Sequence, residues 1–309
     1  MLTVTLPDED IEQRLADLRD RVDLVHWDLS APLPAEVAER VTAVEVPHYF
    51  SRPGAFDVLA TLPHLRYVWL PSAGFEHAVG HLPPGVTLCN GRGVQSAGTA
   101  ELTLALTLAA QRGIPDAVRA MDRGEWHNPF GPALADRHVV LVGYGSVARA
   151  IADRLEPFEV TITPVAHHAR VQDGVHVHAL ADLPDLLPSA DVVILAVPLN
   201  AGTDHLFDAQ LLARMKDGAL LVNVARGRVV DTDALLAELR TRRLRAALDV
   251  TDPEPLPSDH PLWHATGVLI TAHQGGNTDA TYPRIARLVR RQIEHLLAGE
   301  EPENVVARG

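Results

Sequence analysis

The chain has 309 residues, 47% of them hydrophobic, and a formal net charge of −13. That is enough apolar material for two domains with separate cores, and the acidic balance argues against nucleic acid or an anionic membrane as a general partner. The single Cys89 excludes an internal disulfide and a thiolate metal cluster, and Lys216 is the only lysine, which leaves Schiff-base chemistry almost no candidates. No apolar run approaches the ~18 residues of a membrane span, and no basic segment followed by an apolar one opens the chain. The expectation is a soluble cytoplasmic protein without a metal, acting on a small molecule.

Residues 2–6, 22–27, 41–46 and 66–70 are short β-prone runs separated by helix-compatible stretches such as Asp10 to Arg19 and Pro34 to Arg40. Strands alternating with helices predict a small α/β domain with a parallel sheet. After the fourth run comes Pro71-Ser72-Ala73-Gly74-Phe75-Glu76, a small-residue loop at the carboxyl end of a strand, where open α/β sheets place ligands and where backbone amides can hold a carboxylate. A further strand is predicted over Val86–Cys89 and a long buried helix over Thr99–Arg112, while Pro115 and Arg123–Pro129 read as irregular structure.

The second domain is organised around Val139-Val-Leu-Val-Gly-Tyr-Gly-Ser-Val-Ala-Arg149. Its apolar run reads as a strand buried on both faces, and helical spacing resumes from Val147 to Leu155. Gly143 permits a tight turn, Gly145 lets the backbone approach a pyrophosphate, and the small Ala148 allows helix and strand to pack closely, so this strand-turn-helix predicts dinucleotide binding. Further strands are predicted at Val160–Val165, Asp191–Val197, Ala219–Ala225, Arg245–Val250 and Gly267–Thr271. Helices are predicted at Ala209–Met215, after Asp231 or Thr232 as cap, and over Asp279–Ala298, the last returning to the first domain.

Three strand ends carry polar residues that packing does not explain. Arg226 follows a buried run and precedes Gly227, where a guanidinium can grip a carboxylate with two parallel hydrogen bonds. His273 ends the last strand and can pass a proton to a carbonyl, and Glu254, five residues beyond Asp249, is a carboxylate able to stabilise its imidazolium.

In order, the chain carries Gly143-x-Gly145-x-x-Ala148, then Asn223-x-Ala225-Arg226-Gly227-x-Val229-Val230-Asp231, Leu248-Asp249-Val250 with Glu254-Pro255-Leu256, His260-Pro261-Leu262-Trp263 and Thr271-x-His273-x-Gly275-Gly276. This series closely resembles the D-isomer-specific 2-hydroxyacid dehydrogenases. Ser72-Ala73-Gly74, Thr99-Ala100-Glu101 and Gly124-x-Trp126 extend the resemblance over nearly the whole chain. It implies a Rossmann-like doubly wound parallel sheet domain, residues 99–278, inserted into a smaller flavodoxin-like α/β domain made of residues 1–98 and completed by a C-terminal helix in 279–309.

The resemblance also implies roles. Arg226 would bind the substrate carboxylate and carbonyl, His273 would be the general acid and base, and Glu254 would orient and charge that histidine. Ser72, Ala73 and Gly74 would offer amides to the substrate carboxylate. Ser146 and Val147 would meet the pyrophosphate, Pro198, Thr203, Val224 and Ala225 would line the cofactor with Gly275 and Gly276, and Asp249 would hold the nicotinamide carboxamide. A homodimer is implied as well.

An NAD-preferring member is expected to place an acid at the end of the second nucleotide strand, to bind the ribose hydroxyls. Here that strand ends Pro164-Val165-Ala166 and is followed by His167-His168-Ala169-Arg170. With no carboxylate to repel a 2′-phosphate and His167, His168 and Arg170 available to meet it, NADP is preferred over NAD; the alternative is that Glu159 or Asp173 serves NAD through a shifted loop. Phe75-Glu76 departs from the family pattern; Phe75 would narrow the pocket toward small substrates, the alternative being a packing residue. The leading expectation is an NADPH-dependent reductase of a small 2-oxo acid such as glyoxylate or hydroxypyruvate. The alternatives are NAD-dependent oxidation of another small acid on the same scaffold and a corepressor-like nucleotide-sensing protein.

Overall fold

Alternating Leu, Thr and Val side chains form β1 (Leu2–Leu6), and Asp8 then starts the helix Glu9–Arg14 by accepting the Asp10 N–H at 2.8 Å. In the computed structural model, which describes residues 1–48, 54 and 56–309, the chain divides into two compact units, Met1–Gln95 with Thr278–Gly309 and Ser96–Asn277. The first unit continues through β2 (Val22–His26), β3 (Ala43–Glu45), β4 (Tyr67–Trp69) and β5 (Thr87–Cys89), all parallel in the order β5-β4-β3-β1-β2. That is the flavodoxin-like order, which covers both faces of the sheet.

The second unit opens with the helix Ser96–Gln111, three residues earlier than the sequence suggests. Ile114–Asp122 is also helical, although Pro115 reads as a breaker. Proline lacks only an N–H that the first helical turn leaves unbonded in any case, so at that position it is tolerated. The sheet then forms from β6 (His138–Val142), β7 (Thr161–Ala166), β8 (Arg170–Gln172), β9 (Val175–Ala179), β10 (Val192–Leu195), β11 (Leu220–Asn223), β12 (Arg245–Leu248) and β13 (Val268–Ile270). Its order is β13-β12-β11-β10-β6-β7-β9-β8, parallel except for β8, which turns back antiparallel on β9. The β8–β9 hairpin is not foreseen from the sequence, because half of its residues are polar and only Val177 is fully buried.

β6, β10 and β11 are buried on both faces. One face carries a core including Val140, Leu195, Phe207, Leu221 and Leu236; the other packs Leu141, Ile151, Ile194 and Val222 with Ala100 and Leu106. The chain returns to the first unit with the helix Thr281–Ala298, whose Ile285, Leu288, Val289 and Ile293 complete that core beside Val4, Leu6 and Ile11. An unforeseen edge strand, β14 (Val305–Arg308), pairs antiparallel with β5. Among the described residues no helix is long and apolar enough to cross a membrane.

Candidate active site

β6 lies between β10 and β7, so the strand order reverses at its carboxyl end, where doubly wound sheets open a crevice. Gly143 turns the chain there with φ 106°, and a side chain on it would strike the Ala196 carbonyl after β10. Only glycine meets both demands. Gly145 caps the helix Ser146–Leu155 with no side-chain cap, and a Cβ built on it meets no heavy atom within 4 Å. The amides that begin at Ser146 and Val147 therefore face open space without intrahelical acceptors, which fits the pyrophosphate of a dinucleotide. Ala148, fully buried, lets this helix lie close to the strands.

After β10, Pro198 is exposed and Thr203 is buried. The Thr203 hydroxyl donates to the Pro198 carbonyl at 2.6 Å and accepts the Asn200 N–H at 2.9 Å, so it shapes the loop from within. Val224 and Ala225 are buried at the end of β11.

Beyond β7, His167 and His168 are exposed with ring centroids 4.3 Å apart. Arg170 donates from Nε to Gln172 Oε1 at 2.9 Å and from Nη1 to the His168 carbonyl at 3.4 Å. Glu159 precedes β7, at the opposite end of that strand, and Asp173 sits in the β8–β9 turn paired with Arg149 at 2.9 Å.

Asn223, 1% exposed, folds the chain after β11: its Oδ1 accepts the Ala225 N–H at 3.0 Å and its Nδ2 donates to the Arg226 carbonyl at 2.9 Å. Gly227 then backs onto the Thr251 carbonyl so closely that any side chain would clash. This contact brings Arg226 beside the turn that carries Glu254. His273 Nδ1 lies 2.5 Å from Glu254 Oε1, with each side chain about two-fifths exposed. Nδ1 is the ring nitrogen that donates to the carboxylate, which places Nε2 on the far side of the ring. Burial alone would push the Glu254 carboxyl up; the His273 hydrogen bond and charge, the Thr251 N–H and the Arg226 charge outweigh it and hold the group below its ordinary range.

Asp249, 3% exposed, governs the loop that presents this histidine. Its carboxylate accepts the Thr271 hydroxyl at 2.6 Å, the Gln274 N–H at 2.8 Å and the Gly275 N–H at 2.9 Å, while its carbonyl accepts the His273 N–H at 2.8 Å. His273 is thereby held at φ 51°, a left-handed conformation that a non-glycine residue keeps only when its surroundings impose it. Gly275 and Gly276 are buried, and a Cβ on Gly275 would lie 3.1 Å from both Asp249 Oδ2 and Thr99 Oγ1. The structural parts played by Thr271 and Asn223 are not readable from the sequence. A polar residue within or just after a buried strand is the one signal that points to them.

On the first unit, Ser72, Ala73 and Gly74 are half-buried after β4. Their carbonyls accept from Gly91 N at 2.7 Å, Asn90 Nδ2 at 2.6 Å and Ser72 Oγ at 2.7 Å respectively. Phe75 packs against the core on one face of this sheet rather than standing clear of it.

A doubly wound sheet with a glycine turn at its switch point, and an arginine, a carboxylate and a histidine at neighbouring strand ends, defines a dinucleotide-dependent oxidoreductase. Residues 104–275 match the family model for the D-isomer specific 2-hydroxyacid dehydrogenase NAD-binding domain. The chain is 34% identical over 263 residues to a glyoxylate reductase of Thermofilum pendens, covering 81% of this chain and 77% of that one. It is 35% identical to glyoxylate/hydroxypyruvate reductase B of Salmonella typhi, over 81% and 80% of the two chains. The structure of a D-isomer specific 2-hydroxyacid dehydrogenase from Xanthobacter autotrophicus Py2, in complex with NADPH and MES, superposes with a TM-score of 0.83 at 28% identity, covering 99% of this chain and 98% of that one. The chain belongs to the D-isomer-specific 2-hydroxyacid dehydrogenases, NAD(P)-dependent oxidoreductases.

Asp249→Ala leaves a hydroxyl and two amides without their acceptor inside the protein. We expect a loss of stability on the order of 3 kcal/mol in denaturant unfolding, together with reduced turnover. An unfolding midpoint equal to wild type would contradict the role given to this carboxylate.

Proposed function

We propose that the protein is an NADPH-dependent reductase that converts a small 2-oxo acid of the glyoxylate or hydroxypyruvate type into the D-2-hydroxy acid. The observation that carries this reading is the Glu254–His273 pair at 2.5 Å with the charge of Arg226 acting on the same carboxylate. A nicotinamide cofactor, when bound, supplies the hydride. The residues that would hold it are Gly143, Gly145, Ser146 and Val147 at the pyrophosphate, Pro198, Thr203, Val224 and Ala225 along its length, and Asp249, Gly275 and Gly276 at the nicotinamide end.

His273, protonated, donates from Nε2 to the substrate's carbonyl oxygen as that oxygen gains negative charge. Glu254 stabilises the imidazolium before transfer and keeps the ring oriented. Arg226 grips the substrate carboxylate and places a fixed positive charge beside the developing alkoxide, where preorganised charge is most effective. On the first unit, Ser72-Ala73-Gly74 is the segment we assign to the substrate carboxylate. The relatives named above as glyoxylate or hydroxypyruvate reductases support the choice of substrate class.

For NADP over NAD, the support is the set of groups after β7. His167, His168 and Arg170 stand there, whereas Glu159 lies at the strand's other end and Asp173 is paired with Arg149. NADPH in the Xanthobacter structure is consistent with this choice.

We also infer a homodimer. Ile114, Val118 and Met121 share one face of the helix Ile114–Asp122, and with Trp126 and Phe130 they leave one apolar stretch exposed on the second unit. A second copy of the same chain would cover it.

Absorbance assays with a panel of 2-oxo acids should show a higher kcat/KM with NADPH than with NADH. His273→Ala should lower kcat about 10²–10⁴-fold while leaving NADPH affinity nearly unchanged. Near-wild-type turnover in that variant would remove His273 as the proton donor, and a strong NADH preference would overturn the cofactor assignment.

Reduction needs a proton on His273, and Glu254 is held below the ordinary carboxylate range, so it keeps the negative charge that faces the ring. In Glu254→Gln the ring loses its charged and orienting partner, and kcat for reduction should fall about tenfold or more while NADPH affinity stays nearly unchanged. An unchanged kcat would show that the pair does not serve the proton donor.

Trp126→Ser with Phe130→Ser should shift the sedimenting species from dimer toward monomer. A wild-type chain that sediments as a monomer at micromolar concentration would refute the assembly.

A further inference from the structure

The groups assigned so far to cofactor and catalysis in the second unit lie toward the carboxyl ends of its strands. At the opposite end, where β6, β10, β11 and β12 begin, a cavity of about 300 Å³ is bordered by Arg137, Asp191, Lys216, Asp217 and Arg245. It gathers three cations, including the chain's only lysine, in a protein with 27 basic and 40 acidic residues.

The two acids offset only part of this charge, because Asp191 is shared by two of the cations. Asp217 is strongly exposed and lies 3.4 Å from a different cation, Arg243. Asp191 accepts from Lys216 Nζ at 2.7 Å and from His138 N at 3.0 Å, while Arg137 Nη1 stands 3.8 Å away, beyond hydrogen-bond length. Arg137 donates from Nε to the Ala133 carbonyl at 3.2 Å, and its terminal Nη1 makes only the longer ion pair with Asp191.

Arg245 is half-buried and has no carboxylate partner among the described residues. Its hydrogen bonds go to neutral oxygens: Gln111 Oε1 at 2.6 Å from Nη2, the Gly218 carbonyl at 3.2 Å from both Nε and Nη2, and the Ala110 carbonyl at 3.2 Å from Nη1. One N–H on Nη1 remains. Arg137 and Arg245 border the same cavity, and burial first, then the charge of Arg137, hold the Arg245 guanidinium below its ordinary range. Like charges held together in a concavity are stabilised by an anion placed between them.

We propose that this cavity binds a phosphoryl dianion, presented by inorganic phosphate or by a small phosphomonoester, through Arg137, Lys216 and Arg245. Arginine's planar N–H groups match the oxygens of a phosphate, and the lysine adds a compact point charge. Three cations around the one carboxylate two of them share leave a surplus of positive charge that suits a dianion. The volume is at the lower end of the ~300–1,000 Å³ typical of small-molecule sites, so it accommodates an organic ester as well as the free ion.

The test is calorimetric titration of the intact protein with inorganic phosphate and, separately, with glycerol 3-phosphate. Ionic strength is fixed with chloride, and saturating NADPH fills the nucleotide-phosphate contacts. We expect saturable binding to one site per chain. Arg137→Gln with Lys216→Gln should weaken it about tenfold or more, whereas Arg14→Gln, an exposed control on the first unit, should leave it unchanged. Circular dichroism verifies that the variants are folded, and both substituted side chains in the cavity are partly exposed. Tighter binding of the ester identifies a phosphomonoester as the ligand class, and tighter binding of the free ion identifies inorganic phosphate. Absence of saturable binding, or equal affinity in a folded double variant, would overturn the proposal.

Discussion

The hydrogen bond from His273 to Glu254, 2.5 Å long, depends on a chain of backbone constraints that begins elsewhere in the sheet. Histidine at φ 51° is an unfavoured conformation, and it persists because Asp249 takes the amides on both sides of the turn through its carboxylate and carbonyl. The imidazole is therefore aimed by the backbone and hydrogen-bonded to a carboxylate, two separate requirements met by two separate acids. Gly227 supplies a third condition: by carrying no side chain it lets the turn bearing Glu254 close on the segment bearing Arg226.

The same economy of side chains appears at the nucleotide turn. Gly143 is forced by an adjacent carbonyl, while Gly145 is bordered by nothing. The first glycine solves a packing problem inside the protein, and the second leaves room for something outside it. The parallel sheet also separates two kinds of charge: the groups we assign to the reaction collect where strands end, and a cluster of cations only partly offset by Asp191 collects where they begin.

Much of this architecture is readable from the chain because buried parallel strands appear as unbroken apolar runs, and the polar residue that follows each run marks an end of the sheet. Arg226 and His273 stand out on that basis, and Gly143 and Gly145 by spacing. The hairpin carrying Arg170 is not readable, since its alternating histidines and valines lie mostly at the surface and leave no burial pattern. The helix beginning at Ile114 is hidden by Pro115, whose effect depends on which helical position it occupies. The grip of Asp249 on residues 273–275 spans more than twenty positions and is created only when β12 and β13 lie side by side. Phe75 looks like a pocket residue by neighbourhood, and its packing against the core becomes visible only in three dimensions.

Lys216 is the chain's one side-chain amine, and nearly half of its side chain is in contact with solvent at the amino-terminal edge of the second sheet. Acylating reagents consequently have a single lysine address, at the far end of the strands from Arg226 and His273. A fluorophore coupled there would remove one positive charge from beside Asp191 and leave the catalytic cluster chemically intact, giving an optical reporter whose attachment point is specified by composition alone.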